Sequence, residues 1–204
     1  MPRSHCALFL LFLLAAVAVA AQAQKAEVSF TVGAALSPDG KGLATCAEAI
    51  CPIPQGIIGP VSLGTGVSWQ TSLAYRLANF RAAALYVELP FAGSPSRTGP
   101  GFSPTFSSFF FTPSAHLKFL PGSAVSPFAS VGGGVAHFSS LDSRGNAGVL
   151  QVGGGLDFRT PLRVLGIRVE ARDFITGHSS VAPLVDFTTH VQHVFVGGGV
   201  VLKF

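Results

Sequence analysis

Residues 191–204 have the sequence Val-Gln-His-Val-Phe-Val-Gly-Gly-Gly-Val-Val-Leu-Lys-Phe, which ends the chain on an aromatic side chain. Every second residue of this stretch is apolar or glycine, and the residues between them are mixed and glycine-rich. The apolar set is Val194, Val196, Gly198, Val200, Leu202 and Phe204. A period of two is typical of a β-strand whose two faces meet different surroundings. The stretch therefore predicts a strand with one apolar face.

The same alternation recurs seven times upstream, and no helical periodicity appears after the first twenty or so residues. Pro113 is the one residue that does not suit its predicted strand, because proline removes a donor from the ladder and usually marks an edge or a bulge. The eight strands are expected near residues 27–35, 67–77, 84–91, 111–119, 126–138, 150–159, 165–172 and 191–204.

Long and short connections alternate between these strands. The short turns are near residues 78–80, 120–124 and 160–162. The long connections, which are rich in Ser, Pro and Gly, are Leu36–Pro60, Gly93–Ser108, Ser139–Ala147 and Gly177–Asp186. Short turns at one end and long loops at the other are typical of membrane barrels. The pattern predicts an all-β fold, an eight-stranded antiparallel up-and-down transmembrane β-barrel.

The composition indicates which face of the strands is outside. Only 11% of the 204 residues are charged and 49% are hydrophobic, whereas soluble domains have about 25% charged residues. The apolar faces are therefore expected to meet lipid. The net charge of +4 is scattered, which argues against nucleic-acid binding. Aromatic residues expected to form interfacial girdles are Trp69, Tyr75, Phe91, Phe111, Phe119, Phe158 and Phe204.

The polar faces would then turn inward and bring charged side chains together. An eight-stranded barrel leaves a lumen that side chains just fill, and a buried charge has to be paired or wetted. We therefore expect an ion-pair network in place of an open channel, with Arg172 and Asp173 at its end. The predicted network consists of Glu27, Arg76, Glu88, His116, Lys118, Asp157, Arg159, Arg168, Glu170 and Arg172.

The N-terminus has the pattern of a secretory signal peptide, because a basic start and a short apolar run precede Ala21-Gln-Ala23. The predicted organisation is a signal peptide over residues 1–23 and a barrel over 24–204. After export, Cys46 and Cys51 are expected to form a disulfide. A metal site is the alternative, but two cysteines without a nearby histidine supply too few ligands. Neither a metal nor another cofactor is expected.

Three segments carry a resemblance to a known family: Leu150–Phe158, Gly166–Phe174 and Val196–Phe204. With them the chain resembles the small bacterial outer-membrane β-barrels, the OmpA-like transmembrane domain, without the peptidoglycan-binding periplasmic domain. The resemblance implies an integral protein of the outer membrane in contact with lipid and lipopolysaccharide. It also implies insertion by the barrel-assembly machinery, which would recognise a C-terminal signal of Val200, Leu202 and Phe204.

The resemblance leaves function open. The first hypothesis is a non-enzymatic outer-membrane protein whose long loops contact a ligand that the sequence does not identify. A narrow pore is a variant of it, weakened by the expected lumen network. Glycine triplets at Val131–Val135, Val152–Leu156 and Val196–Val200 are expected to make room for long lumen side chains, with Val131, Gly133 and Val135 facing outward.

The second hypothesis is an enzyme that modifies membrane lipid. His137-Phe-Ser139 has the His-x-Ser spacing of outer-membrane lipid A deacylases, and the outward facing of this strand would put both side chains near the outer leaflet. Two features weaken this hypothesis. The Asn that follows the motif in that family is Ser140 here, and Asp142 is the one nearby acidic group that could orient the histidine.

Overall fold

The computed structural model describes residues 25–36, 40–44, 58–61, 65–99, 102–139, 144–162, 164–177, 180–182, 185–186 and 191–204. These residues form thirteen β-strands. None of them belongs to a helix with the length and hydropathy that a membrane span requires. The strands are β1 (Ala26–Leu36), β2 (Gly40–Ala44), β3 (Ile58–Val61), β4 (Thr65–Asn79), β5 (Ala83–Gly99), β6 (Phe102–Phe111), β7 (Ser114–Phe119), β8 (Val125–Ser139), β9 (Arg144–Arg159), β10 (Leu165–Thr176), β11 (Ser180–Ala182), β12 (Val185–Asp186) and β13 (Val191–Lys203).

Nine of these strands close into a barrel with eight positions. The order around the barrel is β1, β4, β5, then β6 and β7 end to end, β8, β9, β10 and β13, which pairs with β1 again. All neighbours are antiparallel. The interruption between β6 and β7 falls at Thr112-Pro113, where the proline was expected to break the ladder. The expected eight-stranded up-and-down antiparallel β-barrel is confirmed.

The termini of the described barrel meet at the end that holds the short turns. There Phe204 N donates to Ala26 O at 2.8 Å, and Ala26 N donates to Phe204 O at 3.2 Å. The register puts the turns between β4 and β5, β7 and β8, and β9 and β10 at this same end. Tyr75 near the end of β4 pairs with Ala26, Phe119 at the end of β7 pairs with Ala83, and Leu165 at the start of β10 pairs with Leu202. We call it the short-turn end, and the opposite end the long-loop end.

The expected loops at the long-loop end are partly wrong. β5 runs on to Gly99 and β6 begins at Phe102, so most of the predicted loop 93–108 is an extension of one hairpin. β9 begins at Arg144, six residues before the predicted start. Segments of two other connections pair into a second sheet, in the order β11-β12-β2-β3. Serine and glycine in these stretches allow a strand as readily as a loop once a partner strand lies alongside.

The two faces of the wall follow the alternation of the sequence. Along β10 the burial pattern changes at every residue, with Arg168, Glu170 and Arg172 buried and Ile167 and Val169 exposed. The apolar side chains that this fold leaves exposed cover the outside of the barrel. The expected outward facing of β8 is confirmed, because Val131 and Val135 are 53% and 59% exposed.

Candidate functional site

Charged side chains fill the short-turn half of the lumen. Arg168 on β10 donates to Asp157 on the neighbouring β9 from two nitrogens, Nε to Oδ1 at 2.7 Å and Nη2 to Oδ2 at 3.0 Å. A fork of this kind matches the planar guanidinium to the carboxylate and is among the strongest side-chain pairings. The third guanidinium nitrogen of Arg168, Nη1, donates to Ser29 Oγ on β1 at 3.3 Å. Arg168 therefore links three strands through the centre of the barrel.

A second arginine organises the middle of the same network. Arg172 Nη2 lies 2.8 Å from Glu88 Oε1 and 2.9 Å from Glu170 Oε2. Glu88 also accepts from Ser114 and contacts His116 Nδ1 at 3.3 Å. A Cβ on Gly153 would lie 2.7 Å from Arg172 Cγ. The glycine therefore leaves the space that the arginine side chain occupies.

Lys118 completes the network nearest the short-turn end, where it pairs with Glu27 and lies 2.8 Å from Asp157 Oδ2. Of the ten side chains that the sequence predicted in this lumen, the structure buries eight and leaves two at the short-turn mouth. Arg76 is half-buried there, and Arg159 is exposed and donates to Gly122 O at 2.9 Å. We call the buried set the charged layer: Glu27, Glu88, His116, Lys118, Asp157, Arg168, Glu170 and Arg172.

Asp173 does not extend the charged layer, contrary to expectation. It follows Arg172 on β10 and therefore lies on the outward side, with Val152 and Val194 as its partners on the two adjacent strands. Its Oδ1 atom is buried and has no hydrogen-bond partner among the described residues. The sequence alone made Asp173 look like a continuation of Arg-Val-Glu-Ala-Arg, although strand parity puts it on the other face.

Aromatic side chains fill the other half of the lumen, which the sequence analysis missed. Phe110 and Phe174 stack at 4.6 Å between ring centroids, and Phe138 meets Phe110 edge-on at 5.9 Å. We call this set the apolar layer: Phe110, Phe138, Val149, Phe174, Val191 and Phe195, all of them buried. Parity predicts their inward facing once the strand register is known. These residues were missed because only polar residues were expected to face the lumen.

Above the apolar layer, a buried arginine ties the hairpin extension to the barrel. Arg97 on the extended part of β5 donates to Ser94 Oγ and Ser108 Oγ, both at 3.2 Å, and lies 3.1 Å from His193 Nδ1. Because an arginine carries no acceptor, His193 Nδ1 accepts this bond. The lumen thus contains charged, apolar and polar levels in succession.

A separate polar cluster lies on the outside of the wall at the long-loop end. His137 on β8 faces Asn146 on β9 in the register, and His137 Nδ1 lies 2.7 Å from Asn146 Oδ1. An amide oxygen accepts, so Nδ1 donates and the other ring nitrogen, Nε2, is left as a base. Ser139 lies two residues on, on the same face. Among the described residues, Asn146 is therefore the group that orients His137.

An apolar groove of about 290 Å³ adjoins His137. Phe91, Phe109, Phe111 and Val135 line it, and His137 and Asn146 form its polar edge. Ser139 is half-buried, and its main-chain oxygen accepts from Ser107 Oγ at 3.3 Å. Among the hydrogen bonds of the described residues, none joins Ser139 to His137. The cluster therefore contains a base and a nearby hydroxyl, without the contact that would activate the hydroxyl.

Other expected sites lie partly outside the described residues. Cys46, Cys51 and Asp142 fall there, so the disulfide stays a prediction. In the described part of the chain no group of three or more His, Cys, Asp or Glu side chains is placed to hold a metal ion. Val200 and Leu202 face outward on β13, and their role with Phe204 as an insertion signal stays a prediction.

Comparison with known proteins gives matches among solved structures alone: no family model and no curated protein matches the chain. Neisserial surface protein A (NspA) is 16% identical, with a TM-score of 0.60 over 88% of this chain and 97% of that one. The N-terminal β-barrel domain of Pseudomonas aeruginosa OprF is 13% identical, with a TM-score of 0.47 over 89% and 98%. The outer membrane enzyme PagL is 18% identical, with a TM-score of 0.44 over 85% and 97%.

Proposed function

We propose that this chain, which has the fold of the small eight-stranded outer-membrane β-barrels, is a non-enzymatic integral protein of the outer membrane. Its barrel is a sealed platform, and the segments at its long-loop end contact an external partner. The proposal includes export through residues 1–23, insertion through Val200, Leu202 and Phe204, and contact of the outer wall with lipid and lipopolysaccharide.

The filled lumen is the observation that carries this proposal. Ions would have to cross a charged layer whose carboxylates and cations are paired with one another, and then an apolar layer of stacked phenylalanines. Apolar constrictions exclude water and ions by dewetting. A barrel of this kind stabilises the loops that it displays and provides no path for solutes.

The outer wall is the second support. Leu73, Leu89, Val169 and Val196 are all about half exposed, although each is a large aliphatic side chain. A water-soluble protein of this size does not leave so much of its wall aliphatic, since large exposed apolar patches lead to association. Hydrocarbon is the solvent that suits this surface.

The purified protein in planar lipid bilayers is expected to give no nanosiemens-scale current steps, because the two lumen layers leave no wet passage. Single-channel recording measures this directly, with an open porin incorporated in the same bilayers as the positive control. Regular open-state steps from the folded protein would contradict the sealed platform and favour the narrow-pore alternative.

One contact favours a second candidate function, a hydrolase of membrane lipid. The hydrogen bond from His137 to Asn146 fixes the ring so that Nε2 would accept a proton from Ser139, whose hydroxyl could then attack an ester carbonyl. The adjoining groove, lined by Phe109 and Val135, would hold an acyl chain. Among the hydrogen bonds of the described residues none joins His137 to Ser139, and for this reason we place this candidate second.

Expression of the protein in a strain that makes hexa-acylated lipid A distinguishes the two candidate functions. If the protein is a platform, wild type and His137→Ala leave the same lipid A species in mass spectra, because no residue of the wall acts on the acyl chains. Loss of one acyl chain with wild type, but not with His137→Ala or Ser139→Ala, would establish the hydrolase. An Asn146→Ala variant with reduced loss would assign Asn146 as the residue that positions the histidine.

A further inference from the structure

A basic cavity lies at the short-turn end, below the charged layer. Its volume is about 410 Å³, which is within the range of small-molecule sites, about 300–1,000 Å³. Among the described residues, five cationic side chains and one carboxylate, Glu27, line it. The cations are Arg76, Arg81, Lys118, Arg159 and Lys203.

Strand parity puts three of these cations at the mouth. Each of them lies two positions after a buried residue of the same strand: Arg76 after Ala74 on β4, Arg159 after Asp157 on β9, and Lys203 after Val201 on β13. Each therefore faces inward near the short-turn end of its strand, and Arg81 adds a fourth cation from the adjacent turn. The barrel therefore brings these charges from separate strands to one opening.

The carboxylates of the lumen do not neutralise the mouth. The charged layer has four carboxylates against three permanent cations, Lys118, Arg168 and Arg172. It therefore carries −1 when His116 is neutral. The other four cations of the cavity bring the sum of the layer and the mouth to +3. Within the part of the chain that the structure describes, no salt bridge to a carboxylate is formed by Arg81, Arg159 or Lys203.

We propose that this cavity binds a small anion with two or more phosphate or carboxylate groups. Lys203, Arg81 and Arg159 would contact the anion at the rim, while Lys118 stays paired with Glu27 and Asp157 at the base of the cavity. Multiple negative charges suit the site because several separated donors converge on it, and charge-assisted hydrogen bonds are stronger than neutral ones. In the outer membrane, the short-turn end faces the periplasm, so the anion would come from that side.

Titration of the folded full barrel in a non-ionic maltoside detergent tests the proposal, with inorganic pyrophosphate and citrate as separate probes at constant ionic strength. Two-dimensional NMR is expected to show saturable shifts in the amide signals of Lys203 and Gly122. Lys203→Gln is expected to weaken binding about fivefold, and Lys203→Gln with Arg81→Gln at least about tenfold, since each rim contact is worth a modest amount. Stronger binding of one probe identifies the preferred anionic group.

Arg144→Gln is the matched control, because Arg144 is an exposed cation at the opposite end of the barrel. It is expected to leave both affinities unchanged. A heat-modifiable gel shift checks that every variant is folded before titration. The absence of saturable shifts with both probes would overturn the proposal. Equal weakening by Arg144→Gln would also overturn it, since the anions would then respond to total charge and not to the cavity.

Discussion

Replacement of Arg168 by methionine is expected to destabilise the folded barrel by about 3–5 kcal/mol, the usual cost of removing one partner of a buried ion pair. Methionine fills similar space but leaves Asp157 without its two-nitrogen partner and removes the guanidinium donor to Ser29. The charged layer would also change from three permanent cations to two. Urea unfolding in lipid vesicles, followed by the fluorescence of Trp69, measures the loss.

Two controls show whether the loss comes from the buried charge. Arg159→Met removes an arginine from the exposed mouth and is expected to change stability by less than about 0.5 kcal/mol. Arg168→Met combined with Asp157→Leu removes the cation and its carboxylate together. It is expected to be more stable than Arg168→Met alone, because no carboxylate is then left unpaired by the change. A double variant less stable than the single one would contradict the network as described.

Replacement of Gly199 by alanine is expected to prevent closure of the barrel or to cost about 3 kcal/mol or more, at the upper end for overpacking. A Cβ at Gly199 would lie 1.9 Å from Phe30 O and 2.7 Å from Thr31 Cα. Both atoms are backbone of β1, which pairs with β13 and closes the barrel. The backbone cannot rotate away as a side chain could. Loss of the heat-modifiable gel shift would report this failure.

The adjacent Gly198 supplies a matched control. A Cβ there would find Arg168 O at 3.5 Å and Val169 Cγ1 at 3.6 Å, which are ordinary contacts. Gly198→Ala is therefore expected to fold like wild type, with the same gel shift. If both alanine variants fold equally well, or both fail, the described approach of β1 to β13 at Gly199 is wrong.

Much of the fold follows from local pattern. Strand parity predicted the eight positions, because side-chain direction in a strand depends on the sequence position. The repeated glycine triplets predicted the outward Val131 and Val135, and the missing N–H of proline predicted an irregularity at Pro113. Strand parity also predicted which charges enter the lumen. It could not pair them. The ion pair between Arg172 and Glu88 joins residues that are 84 positions apart in the sequence, and it depends on the closure and register of the whole barrel.

The apolar layer and the outer-wall cluster show what local pattern missed. Phe110, Phe138 and Phe195 are on inward positions, yet a phenylalanine in a membrane barrel suggests lipid contact. Only the register places the rings of β6, β8 and β10 against each other. Likewise, Asn146 became the partner of His137 because β9 begins at Arg144 and not near Leu150, and the extra strand residues bring the two side chains opposite each other.

In the proposed platform, one face of each strand meets lipid and the other is sealed within the barrel. Adjacent valines on β13 test this arrangement in one experiment, because Val200 is 42% exposed and Val201 is 0% exposed. Nuclear Overhauser contacts between valine methyl groups and lipid acyl chains, measured on the folded protein in nanodiscs, report which valine touches lipid. Contacts that disappear when the lipid is deuterated come from the acyl chains. Contacts from Val200 methyls and none from Val201 are the predicted result. Acyl-chain contacts from Val201, or their absence at Val200, would contradict the account.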